Sequence, residues 1–466
     1  MSAHSTAGTT ADDIDVQAFF TQRRPSRDAR RADGVQRRRS VPLESHAELP
    51  GPDDREDPLT LLKAQESSRE PALVPLRYAR MATDPFAFLR GSAAVMAADL
   101  SKTASSGISV QLCGDAHLAN FGMFASAERS LVFDLNDFDE THPGPFEWDV
   151  KRLAASFAVA ARNNGFKDKH ATRAARAAVT AYRVTMADLA EMPTLRVWFA
   201  ELDVDLLVER LRKTALRQAT VKAGSKARRS TGDAAVLKLT ETVDGQRRFR
   251  TDPPLLVPVP PAEFDATVES LAHTYGQYLQ TLPPDRIALL MRYSFVDIAH
   301  KVVGVGSVGT RALVLLLESG DGDPMLLQVK QANASVLEPY LGASRFDNAG
   351  KRVVVGQRVL QTTGDPFLGW TRGGKKAPYD FYVRQLKDMK GSIEPTLLDQ
   401  EALGVYAQLC GATLARAHAR AGDASAISGY LGTSDEFDSA VAEFAMAYAD
   451  ITEHDHGLLT QAIVER

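Results

Sequence analysis

Cys113-Gly-Asp-Ala-His-Leu-Ala-Asn120, followed closely by Phe133-Asp-Leu-Asn-Asp-Phe-Asp139, is the stretch on which the fold turns. It sets Asp115 five residues before Asn120 and places a third acid, Asp137, just beyond a short apolar run. Phosphoryl transfer from ATP to a hydroxyl uses such a set: one carboxylate accepts the hydroxyl proton, while an amide and a second carboxylate hold magnesium. Ile108–Cys113 alternates in polarity and reads as a strand entering the loop; Leu131–Phe133 reads as a strand close behind it. Asp and Asn are also at home in plain polar turns. The coincidence of all three residues with the required spacing favours the catalytic reading.

The Asp-x-x-x-x-Asn spacing resembles the protein-kinase catalytic loop. The fuller pattern is similar to the H-G-D-x-H-x-x-N of aminoglycoside-phosphotransferase-like kinases, matched here at Gly114, Asp115, His117 and Asn120. It departs from them at Cys113, where those enzymes usually carry His. The resemblance implies Asp115 as base or orienter, Asn120 and Asp137 as magnesium ligands, and His117 as either a loop-orienting group or a buried histidine satisfying backbone. Asp149, twelve residues after Asp137, sits where such enzymes start a helix with Asp. That resemblance selects Asp137 over Asp134 and Asp139 for the metal, and leaves Asp149 as a brace for the loop or a helix cap.

A second constellation lies nearly two hundred residues downstream. Lys301-Val-Val-Gly-Val-Gly-Ser-Val-Gly-Thr310 contains G-x-G-x-x-G at Gly304, Gly306 and Gly309, with Ser307 inside it. A dinucleotide-binding site needs a helix after the third glycine. Arg311–Glu318 is apolar and fits a strand, the arrangement of a kinase glycine hairpin over phosphates. Lys330, at the end of Leu326-Leu-Gln-Val-Lys330, is then the phosphate lysine, with Glu338 as its expected partner. A lysine in a buried strand is costly unless paired.

The glycine motif follows the catalytic motif, whereas a kinase has them in the opposite order. Cyclic order is kept, so the expectation is an α+β, bilobal, protein-kinase-like fold with a circularly permuted chain and extra helices. Termini that lie close together at the surface permit such a rearrangement. The expected divisions are a disordered basic and polar tail over 1–60, a catalytic-loop and helical lobe over 61–292, a β-rich nucleotide-binding lobe over 293–390, and helices over 391–466 returning to the catalytic lobe. The motifs together, with Pro85-Phe-Ala-Phe-Leu-Arg-Gly91 and Ala415-Arg-Ala-His-Ala-Arg420, resemble the bacterial domain-of-unknown-function family 2252 over about 70–460. That name brings no activity with it.

Composition narrows the partners. The 466 residues are 44% hydrophobic and 24% charged, with a net charge of −4, so no bulk attraction to nucleic acid or membrane is expected. Two cysteines, Cys113 and Cys410, form no disulfide framework, and no apolar run approaches the ~20 residues of a membrane helix. A cytoplasmic setting follows as the expectation. Eight basic residues and no acid fall within 210–229, read as a solvated helix face. His418 reads as core packing. The expected function is an ATP- and magnesium-dependent phosphotransferase acting on a small hydroxylated molecule, with a protein acceptor left open. The rivals are a nucleotidyl (AMP) transferase on the same scaffold, a catalytically silent nucleotide-binding scaffold, and a Rossmann-type oxidoreductase.

Overall fold

Ala312–Ser319 (β9) follows the glycine motif as an extended strand, not the helix that a Rossmann-type site needs. The computed structural model describes residues 15–126, 128–211, 215–302, 308–374, 378–386 and 389–464. Gly304, Gly306 and Ser307 lie outside them.

Twelve strands occur among the described residues, in four sheets. Near the catalytic motif are β1 (Ser109–Leu112), β2 (Phe121–Ala125), β3 (Leu131–Leu135) and β4 (His142–Pro145). Then come the small hairpin β5 (Thr240–Val243) and β6 (Gln246–Phe249), and β7 (Leu256–Pro258). The main sheet is completed by β8 (Tyr293–Lys301), β9 (Ala312–Ser319), β10 (Pro324–Ala332), β11 (Gly369–Gly373) and β12 (Tyr379–Gln385), in the order β11-β12-β10-β9-β8-β7.

The continuous apolar run of β9 is explained by burial on both faces of its sheet. Leu315 and Leu317 pack with Ile298, Leu327 and Tyr278 on one side, where the Pro261–Leu279 helix lies. Val314 and Leu316 pack with Leu326, Val236 and Leu239 on the other, under the Gly232–Leu239 helix. Neighbouring side chains of a strand point to opposite faces, so a doubly covered strand must be apolar throughout. The β-rich unit therefore recruits residues from about 232 onward, earlier than the expected boundary at 293.

The helical part is built on Phe146–Asn163, whose first sixteen residues are all buried. Asp168–Glu191, Gln400–Ala421 and Glu436–Val464 surround it. The two long C-terminal helices thus pack against the helix that follows the Cys113–Asn120 loop.

The expectation of a disordered tail over 1–60 is corrected from residue 15 onward; residues 1–14 lie outside the described residues. Arg27–Ser40 is a helix capped by Ser26, and it crosses Ala424–Leu431 so closely that a Cβ on Gly34 would stand 2.0 Å from the Ala426 carbonyl oxygen. Arg55 forks between Asp99 and Asp455, with hydrogen bonds of 2.8–3.2 Å. Charged residues that composition assigns to solvent are spent here on ion pairs with the helical core. No helix among the described residues is long and apolar enough to cross a membrane.

Candidate functional site

Strand pairing decides where the acids meet. β2 pairs with β3, and this hairpin is nested inside the antiparallel pair β1–β4. The loop from β1 to β2 and the loop from β3 to β4 must then lie side by side. The first carries Asp115, His117 and Asn120; the second carries Asp137, Asp139 and Glu140. The seam is stitched by Asn136 N to Asn120 O at 2.9 Å and by Thr141 Oγ1 to Leu112 O at 2.6 Å. Gly114 turns with φ +84°, and a Cβ there would meet the Glu140 carbonyl oxygen at 2.2 Å, so no other residue fits between the loops.

All six of those residues line one cleft, together with Gln65, Arg69, Arg90, Thr310 and Asn333. The Asp115 Oδ1 is ion-paired with Arg152, and its Oδ2 lies 3.7 Å from His117 Nε2. Burial raises the Asp115 carboxyl above its ordinary value, while Arg152 and then Arg90 oppose the rise. Burial, with Arg90 and Arg152 nearby, pushes the His117 imidazole well below its usual range, so the ring is neutral. Its Nδ1 accepts from Ala119 N at 3.2 Å, which leaves the proton on Nε2, facing Asp115. Asn120 Nδ2 donates to the Asp115 carbonyl oxygen at 2.7 Å, leaving the amide oxygen for another ligand.

The three acids of the second loop separate cleanly by environment. Asp134 is buried, ion-paired with Arg416, and accepts from Leu135 N at 2.9 Å, so it is structural. Asp139 takes Lys330 as an ion-pair partner and the Tyr382 hydroxyl as a donor at 2.7 Å. Asp137 lines the cleft, and no described residue hydrogen-bonds its carboxylate. Burial raises its pKa, and the neighbouring Asp139 adds to the rise. A carboxylate held this way favours a cation.

Lys330 is buried on β10, where it pairs in register with Tyr382 of β12. The expectation that Glu338 neutralises it is corrected: Asp139 does so. Glu338 opens a helix of only four residues, Glu338–Leu341, and its carboxylate accepts from Ser335 N at 2.9 Å and Ser344 N at 3.1 Å. Its cationic neighbour is Arg352, at 3.8 Å. The helix packed across the end of the sheet is instead Ala349–Leu360. Of the glycine motif, Gly309 has φ +91°, and Thr310 beside it reaches the cleft. Glu70 N donates to the Gly309 carbonyl oxygen at 2.7 Å, so a segment far upstream is fastened to the hairpin.

Asp149 braces the catalytic loop, accepting from Cys113 N at 2.8 Å and Gly114 N at 3.1 Å. His418 Nε2 donates to the same carboxylate at 3.1 Å while its Nδ1 accepts from the Tyr182 hydroxyl at 2.9 Å. His418 is fully buried as expected, but it also holds Asp149 in place. Cys113 is buried, and burial pushes its thiol well up; its backbone does the bracing and its side chain lies in the core.

Sequence reading passed over Arg152, Arg90 and Arg69, which supply the cations on the catalytic side. Arg152 stands one turn after Asp149 on the Phe146–Asn163 helix, and that i+3 offset was the available signal. No cluster of three or more His, Cys, Asp or Glu placed to hold a metal by themselves occurs among the described residues. Asn120 and Asp137 suit a hard cation that keeps other oxygen ligands from water or phosphate. A second cavity, of about 410 Å³, lies elsewhere, between β1, β4 and residues 341–346, and holds none of these acids.

No curated protein matches the chain, and no solved structure does. A family model described as an uncharacterized protein conserved in bacteria (DUF2252) matches residues 69–462. With most of its length covered by that match, the chain belongs to the DUF2252 family.

Proposed function

We propose that the protein is an ATP- and magnesium-dependent phosphotransferase acting on a hydroxyl. The observation that carries the reading is the convergence on one cleft of two acidic loops and the end of a glycine hairpin, with buried Lys330 behind them, ion-paired to Asp139. Asp115, its Oδ1 held by Arg152, keeps Oδ2 for the proton of the acceptor hydroxyl. The deprotonated oxygen forms its bond to the γ-phosphorus as the bond to the β,γ-bridging oxygen breaks, and ADP leaves with those electrons. Neutral His117 stands beside the base, its Nε2 3.7 Å from Asp115 Oδ2, while Arg152 fixes the carboxylate's orientation. Lys330, with Gly309 and Thr310, positions the triphosphate; Asn120 and Asp137 hold magnesium, with Asp139 next to them. Magnesium, when bound, neutralises charge on the phosphate oxygens.

The same reading extends to the fold as a permuted, protein-kinase-like chain. Its support is chain order: strand, glycine motif, strand, lysine strand, helix and a final strand pair, all downstream of the catalytic loop. Cys113 does not argue for a silent scaffold, because position 113 lies in the core and lends the cleft no side chain in any case.

The test is transfer of label from γ-labelled ATP to a library of hydroxylated metabolites, with ADP and pyrophosphate both assayed. ADP is the expected product; pyrophosphate means AMP transfer. Asp115→Asn is expected to lower transfer by about 10²–10⁴-fold while ATP affinity stays within about twofold. Equal transfer by the variant removes Asp115 from the mechanism.

A further inference from the structure

The Pro85–Gly91 helix has no part in the chemistry just described, yet its contacts converge on the catalytic loop. Asp84 caps it, accepting from Ala87 N at 2.8 Å. Phe86 meets the His117 ring edge-on at 6.4 Å. The Leu89 carbonyl oxygen accepts from Arg152 Nη2 at 2.9 Å, steadying the guanidinium that holds Asp115. Gly91 packs so tightly that a Cβ would stand 2.5 Å from Met81, and its carbonyl oxygen accepts from buried Arg77 at 3.0 Å. Each of these contacts fixes the direction of the residue between them, Arg90.

Arg90 is the anomaly of the cleft. It lines the cleft beside Asp115 and His117, its guanidinium lying 5.9 Å over the Phe86 ring. Its Nε is buried without a hydrogen-bond partner, and no hydrogen bond or ion pair to it occurs among the described residues. The acids around it are otherwise engaged. Asp115 is held by Arg152, Asp139 by Lys330, and Glu140 accepts from Val336 N at 2.8 Å. Asp137 is the proposed metal ligand. A partly buried guanidinium left without an acceptor is costly unless a ligand supplies one. Its fork suits a carboxylate or phosphate.

We propose, resting on the phosphotransferase reading, that Arg90 binds an anionic group of the acceptor. The substrate class is then hydroxylated carboxylates or phosphate esters. The catalytic loop resembles that of enzymes acting on polycationic aminoglycosides, but a free arginine beside the base would repel such an acceptor.

Two measurements on the full chain test this. Calorimetric titration with inorganic phosphate, without nucleotide, reads the anion site alone. Wild type binds; Arg90→Gln binds at least about tenfold more weakly at unchanged melting temperature, and Arg90→Lys falls between them. Parallel titration with ADP distinguishes acceptor from nucleotide phosphate, and Arg90→Gln leaves ADP affinity unchanged. The second measurement compares label transfer from ATP to glycerol 3-phosphate and gluconate with transfer to glycerol and to an aminoglycoside. Transfer goes to the anions, and Arg90→Gln raises their KM at least about tenfold with a smaller change in kcat. Equal phosphate binding by wild type and Arg90→Gln overturns the proposal. So does lost ADP affinity in the variant, or transfer to glycerol or the aminoglycoside as efficient as to the anions. Absence of transfer to every acceptor defeats the phosphotransferase reading instead, and the phosphate titration still decides the role of Arg90.

Discussion

Asp134, Asp137 and Asp139 lie within six consecutive positions and have three different environments. One is locked to Arg416, one lines the cleft with no hydrogen bond from a described residue, and one is shared between Lys330 and Tyr382. Burial alone would raise the Asp139 carboxyl, but Lys330 and the Tyr382 hydroxyl bring it below its ordinary 3.8. Its folded pKa is depressed, so the stability it contributes is present above about pH 4 and is lost as pH falls through the folded value. Asp139→Asn leaves Lys330 without its paired charge and is expected to cost about 3 kcal/mol at pH 7. Urea unfolding of both proteins should show that gap narrowing below pH 4, as the wild-type carboxylate takes up its proton. A gap constant from pH 7 to pH 2 would mean the ion pair contributes nothing.

At the scale of elements, pattern foretold most of what sequence periodicity controls. The strand after Gly309, the long helix from Phe146 and the C-terminal helices follow from runs and spacings that local physics fixes. Asp115, His117, Asn120, Asp137 and Asp139 share a cleft because β2–β3 nests inside β1–β4, a pairing that the motif spacing by itself does not state. The choice of Glu338 as lysine partner went wrong because partners across 191 residues depend on tertiary register, which no local pattern encodes. Helix crossings were equally illegible. Gly34 and Gly429 let Arg27–Ser40 and Ala424–Leu431 touch backbone to backbone, with Cβ positions 2.0 Å and 2.1 Å from carbonyl oxygens of the opposite helix. Alanine is worth about 1 kcal/mol more than glycine inside an isolated helix. Here the clash should win, and Gly34→Ala is expected to destabilise by about 1–3 kcal/mol. Urea midpoints and faster tryptic cleavage at Arg37–Arg39 would register it. A rise in stability would show that the helices part without cost.

For the molecule as a whole, residues 27–68 are structural although the family match begins only at 69. Arg55 ties Asp99 to Asp455, and the buried His46 lies 2.6 Å from the Tyr430 hydroxyl. Burial, with Lys151 nearby, lowers the His46 pKa to about 3, so the folded protein keeps it neutral. A chain beginning at residue 69 exposes those carboxylates and the apolar faces of the C-terminal helices. It is expected to aggregate or to lose cooperative thermal unfolding, as calorimetry would show; a sharp transition like that of the full chain would contradict this. The amino-terminal segment was misread because its charges and prolines imitate the composition of a chain too polar to fold.

The salt link between Lys330 and Asp139 has a consequence for binding if the protein is the proposed phosphotransferase. The ammonium is already paired, so a polyphosphate would have to displace a resident carboxylate, which would in turn be free to join Asp137 around a divalent ion. Nucleotide and metal would then be admitted by one swap of partners, each making room for the other, and neither alone should bind as tightly as the two together.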